Sequence, residues 1–155
     1  MRSLGGAICM LRPFSPEKIT MSFLHQLSPL NFLAIGLGAS LGAWSRWLLG
    51  LMLNPLMVAM PLGTLAANLI GGYLIGIAVA VFHLNTQLPL ALKLFAITGF
   101  LGGLTTFSTF SAEVVERLLA GQPGIAIGLA SIHLLGSLLA TYLGLLTMGA
   151  TRLFG

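Results

Sequence analysis

Four long apolar segments constrain the fold more than any other feature of this chain. They run from about Asn31 to Leu53, Gly63 to Phe82, Leu90 to Leu119 and Gly124 to Met148. Each reaches the roughly 20 residues that a helix needs to cross a hydrocarbon layer about 30 Å thick. Only 6% of the 155 residues are charged, whereas a soluble domain carries roughly 25%. The sequence therefore predicts an all-α membrane protein with four transmembrane helices joined by short loops.

The two ends of the chain differ in character from the apolar segments. Residues 1–30 carry scattered charges and prolines, and their apolar run from Leu4 to Leu11 is too short to span a membrane. We therefore expect residues 1–30 to form an N-terminal extension, with Met21 as an alternative start of translation. Residues 31–150 are expected to form one four-helix transmembrane domain, and residues 151–155 a C-terminal tail.

The basic residues bear on partners and orientation. The sequence contains seven Lys/Arg and three Asp/Glu residues. The basic residues are isolated from one another and form no patch, which argues against a nucleic-acid partner. Counted from Met21, those near span ends divide two against two: Lys93 and Arg152 on the N-terminal side, Arg46 and Arg117 on the other. This balance predicts insertion in both orientations. Counted from Met1, three more residues make the balance five against two: Arg2, Arg12 and Lys18. That count predicts a cytoplasmic N-terminus.

The chemistry-bearing residues argue against an enzyme. The single cysteine, Cys9, excludes an intrachain disulfide and a cysteine-based metal cage. The sequence also offers no ATP-binding motif and no nucleophile paired with a base. We expect a protein that moves or binds something within the membrane.

The third apolar segment contains a polar run, from Gly102 to Ser111, with Glu113 shortly after it. Hydroxyls and a carboxylate are costly in hydrocarbon unless they face a cavity, an ion or a partner, so the run predicts a helix broken within the membrane. Carbonyl oxygens freed at such a break suit a small hard cation. Phe107 and Phe110 share a helix face, which is typical of packing but also presents positive ring edges to an anion. Together these residues indicate a path for a small, strongly hydrated anion.

Other polar residues within the segments admit both structural and functional interpretations. Arg46 is either an interfacial anchor beside tryptophans or a cation that attracts anions. Asn68 either makes an interhelical hydrogen bond or offers its amide to a ligand. His133, Ser137 and Thr141 recur every four residues and so share one helix face, as packing contacts or as a polar lining. Glycines at four-residue spacing predict close helix packing at four pairs: Gly38 with Gly42, Gly72 with Gly76, Gly99 with Gly103, and Gly124 with Gly128.

Two segments of the sequence resemble the signatures of the fluoride channels of the Fluc/CrcB family. They read Gly-Thr-Leu-Ala-Ala-Asn-Leu-Ile-Gly over residues 63–71 and Gly-Phe-Leu-Gly-Gly-Leu-Thr-Thr-Phe-Ser-Thr-Phe-Ser-Ala-Glu over residues 99–113. Residues 36–42 with Arg46, and residues 133–137, are also similar to this family. The resemblance covers residues 31–150 and implies a channel domain that forms an antiparallel dual-topology homodimer. It further implies passive export of fluoride across the bacterial inner membrane, which lowers fluoride toxicity.

The resemblance also implies roles for individual residues. Those that match the fluoride pores are Asn68, Phe107, Phe110, Ser108, Thr109, Ser137 and Thr141. A structural sodium ion at the dimer centre is implied, held by the backbone carbonyls of Gly102 and Thr105. Arg46 and Glu113 match an arginine and a glutamate of the family.

Two other functions fit parts of the same sequence. A small multidrug or guanidinium exporter is also a four-helix, dual-topology dimer, but its carboxylate belongs in the first span, where this chain has only Arg46 as a charged residue. A non-transporting assembly subunit would use the glycine-rich faces and leave the polar third segment without a purpose. The channel accounts for both features.

Overall fold

A computed structural model describes residues 26–57 and 60–149. The elements are α1 (Pro29–Leu53), a 3₁₀ turn (Asn54–Leu56), α2 (Leu62–Leu84), α3 (Leu90–Lys93), a π-helical segment (Leu94–Leu101), α4 (Gly102–Leu104), α5 (Phe107–Leu119) and α6 (Pro123–Thr147). Four continuous stretches are long and apolar enough to cross a membrane: Pro29–Leu56, Leu62–Leu84, Leu90–Leu119 and Pro123–Thr147. The prediction of four spans is thereby confirmed. Most of the expected N-terminal extension and the whole C-terminal tail lie outside the described residues.

The ends of the helices follow from local capping. Helix α1 begins two residues before the predicted Asn31, because Ser28 accepts a hydrogen bond from the Asn31 amide at 3.3 Å and Pro29 occupies the first turn. The turn between α5 and α6 passes through Gly121, whose φ of 71° is readily adopted only by glycine. Pro123 then begins α6. The ends of α1, α2 and α6, and the two ends of the third span, lie within two residues of those predicted.

Glycine allows the backbones of neighbouring helices to touch. A Cβ atom on Gly42 of α1 would lie 2.1 Å from the Phe100 carbonyl oxygen, and one on Gly76 of α2 would lie 2.2 Å from that of Thr141. Helix α1 is thus tied to the π-helical segment, and α2 to α6. The fourth predicted pair differs: Gly124 and Gly128 meet nothing within 4 Å among the described residues, so they make no close packing within this part of the chain.

The third span is not helical at Thr105 and Thr106, between α4 and α5. Thr105 has a ψ of 153°, and Thr106 has φ −150° and ψ 119°, so both residues are extended. Beneath them Leu101 and Leu104 pack with Ala67 of α2 in a small buried cluster. This packing brings the extended residues against α2, where the polar contacts of the next section form.

Candidate functional site

Asn68 holds the extended pair of residues in place. Its Oδ1 accepts a hydrogen bond from the Thr106 amide at 2.8 Å, and its Nδ2 donates to the Thr106 carbonyl at 3.0 Å. The side chain of α2 therefore pairs with both backbone groups of one residue of the third span. Both residues are buried, so these bonds satisfy backbone groups that would otherwise be costly inside a membrane.

Because of these contacts and the cap of α5, two backbone carbonyl oxygens lose the amide groups that would normally donate to them. In a continuous α-helix the Thr106 amide would pair with the Gly102 carbonyl, and the Thr109 amide with the Thr105 carbonyl. Here the Thr106 amide donates to Asn68, and the Thr109 amide donates to the Thr106 hydroxyl at 3.1 Å. The carbonyls of Gly102 and Thr105 thus lose their usual helical donors.

Thr106 also organises the start of α5. Its hydroxyl caps the helix at the Thr109 amide, donates to the Thr109 hydroxyl at 3.0 Å and lies 3.2 Å from the Ser108 hydroxyl. The Ser108 and Thr109 side chains are both exposed on the single chain. Three hydroxyls thus cluster at one helix N-terminus, where the backbone also carries partial positive charge.

Aromatic rings connect the start of α5 to α6. The Phe110 ring stacks on the His133 imidazole with centroids 4.7 Å apart and an interplanar angle of 20°. Phe107 meets Phe110 edge to face, with centroids 5.3 Å apart. His133 Nδ1 in turn lies 3.1 Å from Asn68 Nδ2. The polar and aromatic residues therefore form one connected group, with His133 at 3% exposure and Phe107 at 76%.

A cavity of about 420 Å³ lies beside this group. It brings together seven of the residues singled out from the sequence: Asn68, Gly102, Thr105, Phe107, Phe110, Ser137 and Thr141. Thr106 and His133 also line it, and most of the remaining wall is aliphatic. The cavity thus combines an apolar surface with hydroxyl and amide groups at a few points.

A second cavity of about 440 Å³ is lined mainly by α1, with one residue each from α2 and α5. Arg46, Thr64 and Thr109 line it, so the consecutive residues Thr109 and Phe110 face different cavities. Glu113 Oε1 accepts a hydrogen bond from the Thr64 hydroxyl at 2.6 Å, while its Oε2 is buried with no hydrogen-bond partner among the described residues. Among the residues matched to the family, Arg46 and Thr109 therefore lie at this second cavity, and Ser108 lines neither of the two.

Thr64 and Thr106 lie within the two family motifs but are not among the site residues predicted from the sequence. Thr106 was identifiable as an N-cap, because threonine followed by a helix whose third residue donates to it is a common helix start. Thr64 gave no comparable signal. Its role depends on a carboxylate 49 residues away.

The four spans and the polar contacts between them define a class: a multi-pass helical membrane protein whose third span carries a polar site beside two cavities. The sequence profile of the CrcB-like protein family, described as Camphor Resistance (CrcB), matches residues 33–145. The chain belongs to this family.

Relatives that carry a name agree with one another. A protein of Dechloromonas aromatica named fluoride-specific ion channel FluC is 80% identical over 134 residues, which cover 86% of this chain and 99% of the relative. Proteins with the same name from Nitrosospira multiformis and Cupriavidus taiwanensis are 62% and 58% identical, covering 74% and 78% of this chain and 90% and 96% of the relatives. The likeness therefore extends over nearly the whole length of each relative.

Proposed function

We propose that this protein is a fluoride-selective ion channel, and not an enzyme, that exports fluoride passively through the bacterial inner membrane. The observation that carries this function is the 80% identity, over nearly its full length, to a relative named fluoride-specific ion channel. Fluoride enters cells as the membrane-permeant acid and is trapped as the anion at neutral pH. A passive pore lets the anion leave down its gradient and lowers its toxicity.

The lining of the first cavity supports this proposal. A small anion that leaves water needs hydrogen-bond donors in return, and Ser137 places a hydroxyl group at the cavity wall. The Thr141 hydroxyl also lies at the wall, where it donates to the Ser137 carbonyl at 2.9 Å and would have to turn from it to reach an anion. Phe107 and Phe110 add ring edges, which carry the positive part of the aromatic quadrupole. Neither type of group bears a full charge, so the anion is stabilised without being held too tightly to leave.

The second cavity supplies the charged part of the pathway. Arg46 is the basic residue of its lining, and a cation at the mouth of a cavity raises the local concentration of anions. Thr64 and Thr109 provide hydroxyls there, and Glu113 receives the Thr64 hydrogen bond. We propose that fluoride passes between the two cavities alongside Ser108 and Thr109.

A second copy in inverted orientation is the proposed partner. Phe107 is 76% exposed on the single chain, and Ser108 and Thr109 are exposed beside it. Exposed hydroxyls within a membrane span are costly in lipid, so a protein surface is expected to cover them. An antiparallel homodimer would cover this face and would place two pores along the subunit interface.

A structural sodium ion is the proposed cofactor, held by the Gly102 and Thr105 carbonyls at the dimer centre. The donor set fits, because these carbonyls have lost the amide partners that a continuous helix would supply. Sodium is a hard cation that prefers such oxygen ligands. When bound, it would neutralise the partial negative charge of the interrupted helix.

Efflux from liposomes tests the proposed function. Purified protein is reconstituted, and the release of fluoride and of chloride is followed with ion-selective electrodes, beside protein-free liposomes. We expect rapid fluoride release with negligible chloride release. Fluoride release no faster than from protein-free liposomes, by protein that elutes as a single species, would overturn the proposal. Guanidinium uptake under a proton gradient would then support the exporter.

A further inference from the structure

Gly71 differs from the glycines that follow it in α2 by what it makes room for. A Cβ atom on Gly71 would overlap Cγ2 of Thr105, in the extended part of the third span. Cβ atoms on Gly72 and Gly76 would instead meet backbone oxygens of α6. Glycine weakens a helix relative to alanine, so a glycine inside α2 needs a physical reason. At Gly71 that reason is a single methyl group.

The overlap at Gly71 is confined to this methyl group. The next nearest atoms to the added Cβ are Leu104 Cδ2 and Thr105 Cβ, both at the ordinary van der Waals distance of 3.7 Å. Gly71 lies three residues after Asn68, so the two residues share a face of α2. Thr106 is bonded to Asn68 on this face. Its neighbour Thr105 places its methyl group about one turn further along, at Gly71.

A hydrogen bond keeps the methyl group of Thr105 from turning away. The Thr105 hydroxyl donates to the Leu101 carbonyl at 2.9 Å, and the Thr105 amide donates to the same carbonyl at 3.0 Å. The hydroxyl and the methyl group are attached to one carbon atom, so they rotate together. A Cβ atom at Gly71 would therefore either break the hydroxyl bond or displace the Thr105 backbone.

We propose that Gly71 is a positioning residue for the sodium site: by admitting the Thr105 methyl group, it fixes the direction of the Thr105 carbonyl. That carbonyl belongs to the same extended residue, whose ψ is 153°. Its usual helical donor, the Thr109 amide, is bonded to the Thr106 hydroxyl instead. A site made of backbone carbonyls depends on their placement to within about 0.5 Å. The inference rests on the proposed sodium cofactor, and it gives α2 a part in a site whose proposed ligands lie in the third span.

Moving one methyl group between the two residues tests the proposal. Gly71→Ala adds a methyl group, and Thr105→Ser removes one while keeping the hydroxyl. The double variant carries the methyl group on residue 71 in place of residue 105. The full-length protein is titrated with sodium chloride in detergent, with choline chloride keeping the ionic strength constant. The saturable rise of the unfolding midpoint then gives an apparent dissociation constant for sodium.

The three variants should differ in sodium affinity. We expect Gly71→Ala to weaken sodium binding at least about tenfold, which corresponds to about 1.4 kcal/mol and is a typical cost of overpacking. Thr105→Ser should stay within about threefold of the wild type, because it loses one methyl group and keeps the bond to Leu101. The double variant should also return to within about threefold, because the total side-chain volume is unchanged.

Gly76→Ala is the matched control for a loss of stability alone. Its added methyl group meets α6 and not the third span, so the unfolding midpoint should fall while the sodium affinity stays that of the wild type. Wild-type sodium affinity in Gly71→Ala would overturn the inference, and so would a double variant that binds sodium no better than Gly71→Ala. If Gly71→Ala does not fold, the double variant decides. Folded protein with the wild-type sodium response supports the inference, and failure of the double variant overturns it.

The wild type separates this inference from the channel function. An unfolding midpoint that does not respond to sodium would overturn the sodium site and the role of Gly71 together. Fluoride efflux from liposomes by the same protein would then leave the channel function standing. A sodium response without fluoride efflux would overturn the channel function and leave the role of Gly71 to the variants above.

Discussion

Thr64 and Glu113 are joined by a hydrogen bond of 2.6 Å that links α2 to α5 across 49 residues of sequence. The bond satisfies one carboxylate oxygen, while the other, Oε2, is buried without a partner among the described residues. A carboxyl group inside a membrane span depends on such bonds, because lipid offers it none. The packing of α5 against α2 beside the second cavity therefore depends on the Thr64 hydroxyl group.

Removal of that hydroxyl should destabilise the protein. We expect Thr64→Val to lower the free energy of unfolding by about 1–3 kcal/mol, because Glu113 Oε1 then loses its donor. Thr64→Ser keeps the hydroxyl and should resemble the wild type. Thermal unfolding in detergent, followed by tryptophan fluorescence, measures the difference. The effect of Thr64→Val should shrink in a Glu113→Ala background, and equal effects in both backgrounds would show that the bond contributes nothing.

The two phenylalanines of α5 should be required for transport and not for folding. We expect Phe107→Ile combined with Phe110→Ile to reduce fluoride flux to the level of protein-free liposomes, because aliphatic side chains offer no positive ring edge to an anion. Size-exclusion chromatography should give the wild-type elution volume. Phe32→Ile, at a residue of α1 that is 61% exposed, is the matched control and should conduct. Normal flux in the double variant would remove both residues from the pathway.

The contact between α2 and α6 should tolerate no side chain at Gly76. A Cβ atom there would lie 2.2 Å from the Thr141 carbonyl oxygen, so Gly76→Ala must push the helices apart. We expect a loss of about 1–3 kcal/mol in stability, as for other overpacked sites. Gly36→Ala meets nothing within 4 Å and should be neutral or stabilising, since alanine favours a helix by about 1 kcal/mol over glycine. Unfolding midpoints that rank the two variants the other way would contradict this packing.

Sodium should stabilise the folded protein if the carbonyls of Gly102 and Thr105 bind it. We expect the unfolding midpoint to fall when sodium is replaced by choline and to recover with sodium in a saturable manner. A ligand at about 100 times its dissociation constant adds about 2.7 kcal/mol. Potassium at equal ionic strength separates specific binding from screening. A midpoint that does not respond to sodium would argue against the site.

The spans could be predicted from the sequence because their signal is local. Apolar runs of sufficient length lie between residues such as Pro55 and Gly121, which end helices for backbone reasons. Because Ser28 caps the first helix, α1 begins two residues earlier than the apolar run predicts. The face shared by His133, Ser137 and Thr141 also follows from spacing alone, and all three residues line the first cavity.

The polar contacts of the site could not be predicted in the same way. Asn68 meets Thr106 across 38 residues and His133 across 65, so these partners depend on how each helix is rotated about its axis. A rotation of about 100°, one residue of an α-helix, would exchange one partner for another. One sequence alone does not show how each helix is rotated about its axis to within one residue. The roles of Ser108, Thr109 and the other pore candidates therefore stay predictions.

The π-helical segment Leu94–Leu101 has a consequence for how this chain can be altered. A π-helix closes each hydrogen-bonded turn with one residue more than an α-helix, so it takes up an extra residue within the helix. Loss of one residue there would let the segment rewind as an α-helix and would leave Thr106 close to its present orientation towards Asn68. Loss of one residue from a regular α-helix has no such outlet and rotates everything after it by about 100°. A single-residue deletion within Leu94–Leu101 should therefore damage the pore less than a single-residue deletion within α2 ahead of Asn68.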